Sequence, residues 1–378
     1  MKIIVLGAGL VGSPMAIDLC KNEEFEVTVA DYKADVLNNL KNKCPELSII
    51  QKDLSNPEDV TALVSDFDFA LSAVPGFMGY QTLWAVIEAG IDVVDIAFFP
   101  ENPFTLDDLA KQKGVTAIVD CGVAPGMSNL LIGYASTKLD QIDKLRIYVG
   151  GLPEVRIKPF EYKAVFSPAD VLEEYTRPAR LVRNGKTISL PPLTEIEEIN
   201  FPEVGTLEAF NSDGLRTLID TIDCGDMAEK TLRYPGHAQL MKLFGDIGFF
   251  NKELIDLPNG ASVRPVDLTE KLFIKDWMMQ EGDRDFTILQ IIIEGKAQNQ
   301  KKKYLYEMLD LFNENENVHS MARTTGYTAT VMLRLLAKGM YKHKGISPPE
   351  FVGRQRGNAD FMLRGLRERG VIYHEKEF

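Results

Sequence analysis

Along the first 120 residues, short apolar runs alternate with stretches whose apolar positions recur at helical spacing. The runs are Ile3–Leu6, Val27–Ala30, Leu47–Ile50, Phe67–Ala73, Ile91–Ile96 and Val115–Val119. Between them lie patterns such as GSPMAIDLCKN and YQTLWAVIEAG. Continuous apolar runs joined by amphipathic helices predict a doubly wound parallel sheet, an α/β Rossmann architecture. SNPEDV at 55–60 predicts a helix start, with Pro57 near its first position and acidic residues in its first turn.

After Gly126 the rhythm changes. NLLIGYASTKLD predicts a helix and DKLRIYVGGLP a strand; NGKTISLPPL, DFTILQIIIEG and KKKYLYEMLDLF continue as strand-like runs with long polar connections. This predicts a second α/β domain built on a mixed, largely antiparallel sheet. Two further helices are expected, at SMARTTGYTATVMLRLLAKGM and NADFMLRGLRERGV. The expected division is a dinucleotide-binding domain over 1–124, a substrate and oligomerisation domain over 125–345, and a C-terminal segment over 346–378 that packs back on the first domain. The apolar strand ILQIII suggests sheet pairing between subunits of a homodimer or higher homo-oligomer.

Charge separates the two parts. Residues 1–120 hold 8 Lys, no Arg and 19 Asp or Glu, a net −11 of the chain's −13. The first arginine is Arg146, so recognition of a carboxylate is expected from the later part. The acidic balance argues against nucleic acid or an anionic membrane as partner. Cys20, Cys44, Cys121 and Cys224 lack metal or disulfide spacing, which fits a reducing cytoplasm and no metal site. The opening MKIIVLGAGL is already a strand, with no leader or spanning segment, and predicts a cytoplasmic protein.

The cofactor signal lies in that opening. Gly7-Ala8-Gly9-Leu10-Val11-Gly12 is a G-x-G-x-x-G between strand and helix. Gly7 permits the turn, Gly9 lets the backbone approach a pyrophosphate, and Gly12 allows close helix packing, with the helix N-terminus donating to the phosphates. Asp31, followed by Tyr32, ends the second strand nineteen residues past Gly12. A carboxylate there accepts from the adenosine ribose and repels a 2′-phosphate, which favours NAD over NADP, although Lys33 could neutralise such a phosphate. Asp53 and Leu54 are expected beside the adenine, and Val74 and Pro75 beside the nicotinamide ribose. Asp95 and Asp120, at later strand ends, are each either a loop cap or a catalytic group.

Several stretches together resemble the saccharopine dehydrogenase-like family: the fingerprint, DCGVAPGMSN at 120–129, GGLP at 150–153, YKAVFSPADVLEEYTRPARLVRNGK at 162–186, and TLRYPGH at 231–237. EAFNSDGLRTL and EKTLRYPGH resemble its lysine 6-dehydrogenase branch most. The resemblance implies a Rossmann domain joined to a substrate domain with the active site between them. It implies an enzyme that passes a hydride from a nitrogen-bearing carbon of an amino acid to NAD(P), the imine then being hydrolysed. It also implies that Arg233 and Tyr234 grip a substrate carboxylate. The stretch NSDGLRTL stands where the saccharopine pattern would supply a second arginine partner, and this favours a smaller substrate, lysine.

Lysine must lose an ε-ammonium proton before it can give up hydride, so a base is required. Asp95, Glu101, Asp120, Tyr162 with Lys163, Asp213 and His237 are the candidates; His237 is equally a cap for the helix that follows it. Cys121 has no base beside it and reads as a packed thiol. The enzyme readings are oxidative deamination of the lysine ε-amine to the semialdehyde, which cyclises, with release of ammonia and NADH, or a saccharopine-type reaction on a secondary amine. The reading from another class is a dinucleotide sensor without turnover.

Overall fold

The computed structural model describes residues 1–166, 168–280 and 282–378; Ser167, within the stretch 162–186, lies outside them. The chain divides into two compact units, one formed by Met1–Lys138 and Ala322–Tyr373, the other by Leu139–Met321 and His374–Phe378.

The first unit holds a parallel sheet of seven strands. Across the sheet they run Gly345–Ser347, Thr116–Ile118, Asp92–Asp95, Phe69–Ser72, Lys2–Leu6, Glu26–Asp31 and Ser48–Gln51. The order reverses at Lys2–Leu6, where chain direction and sheet direction part, and this is the point at which doubly wound sheets bind ligands. Ile3, Ile4, Val5 and Leu6 are all fully buried, so the strand reads as an unbroken apolar run, as a sheet covered on both faces requires. Asn56 caps the helix Pro57–Val64 by accepting from the Glu58 N–H.

The division falls at 138 and 321 rather than at 124 and 345. The helices Met127–Ser136 and Pro349–Arg354 pack backbone to backbone, since a Cβ on Gly133 would lie 2.1 Å from the Glu350 carbonyl oxygen. The three-residue strand Gly345–Ser347 extends the parallel sheet, and Ala322–Ala337 belongs to the same unit. The last strand, His374–Glu377, pairs instead with the second sheet.

That second sheet has nine strands. Cys224–Arg233 runs parallel to Gln141–Pro153; the remaining pairings are antiparallel. The sheet is therefore the mixed, largely antiparallel one expected. The strand Asp285–Ala297, which contains ILQIII, is paired along one edge with Gln141–Pro153 and along the other with Gln300–Leu311. Both its edges are occupied, so it cannot pair with another subunit, and the expectation of sheet pairing there is withdrawn.

One buried ionic knot pins the late helices to the first unit. Asp18 is buried and accepts from Arg334 Nη1 at 2.7 Å, Arg369 Nε at 2.8 Å and Thr330 Oγ1 at 2.5 Å. Removing one partner of such a group strands the others' charge in the interior. Asp18→Ala is expected to lower stability by about 3–5 kcal/mol. Urea unfolding measures this, and a loss below about 1 kcal/mol would show that the guanidiniums find water instead.

Candidate functional site

The glycine loop has the geometry that its spacing implies. Gly7 sits at φ +103°, and a Cβ there would meet the Ala73 carbonyl oxygen at 2.8 Å. A Cβ on Gly12 would lie 2.1 Å from the Gly7 oxygen, so this position closes helix onto strand. Nothing lies within 4 Å of a Cβ on Gly9. The missing side chain at Gly9 is therefore not required by the fold, which is the condition for close approach of a ligand. Asp31 ties the loop to the second strand: its Oδ2 accepts from Ala8 N–H at 2.8 Å and its Oδ1 from Lys33 N–H at 2.9 Å. Each carboxylate oxygen keeps a second lone pair for a diol.

Around the loop, Leu10 and Tyr32 are exposed, and Lys33 Nζ lies 5.3 Å from the Tyr32 ring centre. Val11 and Leu54 are buried, while Asp53 is exposed and accepts from Ser55 N–H, which lowers its pKa. At the end of the fourth strand Val74 is buried and Pro75 exposed. Ser72, which opens the stretch SAVPG expected to line the nicotinamide ribose with its backbone, and Phe77, which sequence reasoning passed over, flank that turn. The Ser72 hydroxyl is buried without a hydrogen-bond partner among the described residues, and Phe77 is 78% exposed in the first turn of the helix Gly76–Glu88. An orphaned hydroxyl, an open Gly9 and a carboxylate at the second strand end fit a bound dinucleotide.

Asp95 and Asp120 also lie in the first unit, at the ends of the fifth and sixth strands, both buried. Cys121 N–H donates to the Asp95 carbonyl oxygen at 2.9 Å. Burial, with the Asp95 and Asp120 carboxylates adding to it, pushes the Cys121 thiol far up, so it is no thiolate. Glu101 is exposed.

In the second unit, Arg233 ends the strand Cys224–Arg233 and is only 3% exposed. Its Nη2 donates to Glu174 Oε2 at 2.5 Å, its Nε to the Tyr175 hydroxyl at 3.3 Å, and its guanidinium carbon lies 4.3 Å from the Tyr162 ring centre. Glu174 and Tyr175 are consecutive on the helix Pro168–Thr176. His237 opens the next helix with its ring turned inward. Its Nδ1 lies 2.9 Å from the Phe160 carbonyl oxygen and its Nε2 2.9 Å from the Tyr175 hydroxyl. A carbonyl only accepts, so Nδ1 carries the proton, Nε2 is the acceptor, and Tyr175 donates to it. Burial and the nearby Arg233 lower the His237 pKa to about 3, which keeps the ring neutral. Glu208 caps the helix that His237 opens, accepting from the N–H groups of Gly236 and Ala238.

Trp277 stands edge-on to Tyr162, ring centres 5.4 Å apart, and its buried indole N–H has no partner among the described residues. Burial holds the Tyr162 phenol well above its usual pKa. Glu229, on the same strand face as Arg233, accepts from Ser212 Oγ at 2.6 Å and Gly214 N–H at 3.1 Å; burial raises its pKa to about 8.

Arg233 and Tyr234, expected as a pair, point apart: the Tyr234 hydroxyl donates to the Pro153 carbonyl oxygen, and its ring carries the Arg156 guanidinium. Consecutive residues leaving a strand face opposite ways. Asp213 is held bidentate by Arg180, at 2.8 and 3.0 Å. Lys163 pairs with Asp283 at 2.5 Å, away from a role with Tyr162. Tyr162, Arg233 and His237 thus come together, with Glu174, Tyr175 and Trp277, which sequence reasoning missed although the stretch 162–186 contains the first two. No group of metal-ligating side chains occurs among the described residues, and no described helix is long and apolar enough to cross a membrane.

Residues 3–118 match the family model described as the saccharopine dehydrogenase NADP binding domain, and residues 122–371 that of the saccharopine dehydrogenase C-terminal domain. The mitochondrial alpha-aminoadipic semialdehyde synthase of Rattus norvegicus is 24% identical over 67% of the chain; the chain spans 29% of that protein's length. The carboxynorspermidine synthase of Vibrio cholerae is 23% identical, covering 92% of this chain and 91% of its own. Saccharopine dehydrogenase (L-Glu forming) from Saccharomyces cerevisiae has the same fold, with a TM-score of 0.80 at 18% identity, covering 100% of this chain and 99% of its own.

Two predictions follow from the geometry. Gly9→Val is expected to leave the melting temperature unchanged and to abolish NADH binding by calorimetry, whereas Gly12→Val lowers the melting temperature; the reverse pattern would mean the loop holds no cofactor. Nitrogen-15 spectra are expected to show His237 neutral, protonated on Nδ1 alone, throughout pH 5–8. Since the folded pKa lies below the ordinary 6.5, His237 costs stability only as pH falls from 6.5 toward 3. A His237 signal titrating near pH 6.5 would contradict the assignment.

Proposed function

Since the chain belongs to the saccharopine dehydrogenase family, we propose that it is a nicotinamide-dinucleotide-dependent oxidoreductase of an amino-acid C–N bond, most simply the ε-amine of L-lysine. The observation that carries the substrate half is the buried Arg233 guanidinium with a carboxylate, Glu174, already bound to it. A site that holds one carboxylate there has the fork, the charge and the donors to hold another. The unpartnered Trp277 indole N–H in the same cluster supports this.

In this reading the glycine loop and Asp31 hold the dinucleotide, Ser72 and the turn at Val74–Pro75 lie against it, and when bound it accepts the hydride. Arg233 fixes the substrate carboxylate. Neutral His237 holds Tyr175, which holds the guanidinium, so the fork is set before substrate arrives. His237 Nε2 is already engaged by Tyr175, so it is not the base that takes the ammonium proton. The reaction still needs a base for that proton and a group that directs water to the imine, whose hydrolysis gives the aldehyde and ammonia. Asp31 favours NAD; kcat/KM for NAD above that for NADP is the expected result, and the opposite would point to Lys33 as a phosphate partner.

A second reading, a saccharopine-type reaction on a secondary amine, is favoured by Arg177, Arg180 and Arg216. Asp213 is bonded to Arg180 and close in charge to Arg177, which Arg216 also approaches. These are guanidiniums that a larger, dicarboxylate substrate could use.

Cadaverine is lysine without its carboxylate, so it isolates the clamp. Arg233→Ala is expected to lower kcat/KM for lysine at least about thirtyfold, the cost of about 2 kcal/mol or more, and to leave cadaverine nearly unchanged. Glu174→Gln removes the competing carboxylate and is expected to lower KM for lysine. An equal loss on both amines in Arg233→Ala would reject the clamp. Turnover of saccharopine but not lysine would select the second reading.

A further inference from the structure

Two of the four cysteines, apart in sequence, meet in the first unit. Cys20 ends the helix Gly12–Cys20, and Cys44 directly follows the helix Ala34–Lys43. The strands that these helices join, Lys2–Leu6, Glu26–Asp31 and Ser48–Gln51, lie side by side and parallel. Right-handed crossovers therefore put both helices on one face of the sheet. Both helices end where the strands begin, at the end of the sheet opposite the glycine loop and Asp31. There the Cys20 and Cys44 thiols hydrogen-bond to each other, and Cys44 Sγ lies 3.4 Å from Glu46 Oε2. Cys121 and Cys224 are buried elsewhere, one in each unit.

The two thiols differ in access. Cys20 is partly exposed and lines a cavity of about 830 Å³, whereas Cys44 is 8% exposed and does not line it. The cavity wall carries Glu23, Glu26, Glu46 and Asp66 against Lys2, so it attracts cations. Lys41, also near the pair, is held by the Pro45 and Leu47 carbonyls. Burial, followed by the neighbouring Cys44 and Glu46, pushes the Cys20 thiol up to about 12, so the pair rests as a dithiol at neutral pH. Its reaction then depends on an oxidant concentrated beside it, which the acidic wall provides for a cation.

We propose that Cys20 and Cys44 are a reversible disulfide site whose oxidant is a small cationic disulfide. Cys20 sulfur attacks one sulfur of the oxidant, whose S–S bond breaks, and the first aminothiol leaves with the Cys20 proton. Cys44 sulfur then attacks Cys20 sulfur; the Cys20–Cys44 bond forms and the second aminothiol leaves with the Cys44 proton. The two cysteines give up two electrons, and the oxidant takes both. The order follows from access, since the cavity reaches Cys20 and Cys44 stands against it as the resolving thiol. The bond joins the far ends of the two helices that follow the glycine loop and Asp31.

Cystamine on the full chain tests the site at pH 8, with free thiols then blocked by iodoacetamide and the digest read by mass spectrometry. The wild type is expected to yield a Cys20–Cys44 linked peptide, which dithiothreitol returns to two reduced peptides. In Cys44→Ser, Cys20 is expected to stop at the mixed disulfide with cysteamine; in Cys20→Ser, Cys44 is expected to stay unmodified. Cystamine is expected to close the wild-type bridge at least about tenfold faster than oxidised glutathione, each rate taken relative to that on free cysteine, and to lose this advantage in about 0.5 M salt. Should a serine variant unfold, the wild-type digest and the rate ratio decide alone. Both thiols unmodified in the folded chain, mixed disulfides on Cys20 and Cys44 without a link, or equal relative rates for the two oxidants would each overturn the proposal.

Discussion

A guanidinium with 3% of its surface in water is tolerable only beside a carboxylate, and Arg233 has one in Glu174. Burying the pair costs several kcal/mol of desolvation, which good geometry and further hydrogen bonds must offset. The surrounding side chains supply these. Tyr175 accepts from Nε, the Leu232 carbonyl accepts from Nη1, and the Tyr162 ring lies against the cation. Tyr175 accepts through its oxygen lone pair while its proton goes to His237, whose other nitrogen is fixed by the Phe160 carbonyl. The helix Pro168–Thr176, the end of the strand Cys224–Arg233 and the helix starting at His237 are thus held by one chain of donors. Burial raises the Glu174 pKa, and its side chain is still about a third exposed, so it is the member of the cluster most easily exchanged for an external carboxylate.

The first unit works by a different constraint, the absence of side chains. Gly7 and Gly12 are required by the fold, because a Cβ at either would strike backbone, whereas Gly9 is not. Its emptiness is available to a ligand. Residues 1–138 carry no arginine, but Ala322–Tyr373 of the same unit brings seven of the chain's sixteen, so the guanidiniums are shared between the units.

Much of this was legible from local pattern. The buried parallel strands are continuous apolar runs, and the glycine spacing names its own geometry. What stayed hidden depends on partners distant in sequence or on elements without clean periodicity. Cys224–Arg233 carries Asp226, Glu229, Lys230 and Arg233, so it shows no apolar alternation although it is a central strand. Pro265–Trp277 buries Phe273 and Trp277 yet exposes Leu268 and Leu272, so its apolar residues do not mark one face. Gly345–Ser347 is too short to register. Glu174 stands 59 residues before Arg233, and nothing local announces that the two meet. The family resemblance implied that Arg233 and Tyr234 act as a pair, whereas the two side chains leave the strand end in different directions, to Glu174 and to the Pro153 carbonyl.

The most direct test is a crystal structure of the protein with lysine and a dinucleotide bound. The account predicts the lysine carboxylate on the Arg233 guanidinium, with Glu174 turned out to solvent and His237 still bonded to Tyr175. An intact Glu174–Arg233 pair, with the lysine carboxylate held by other groups, would contradict it.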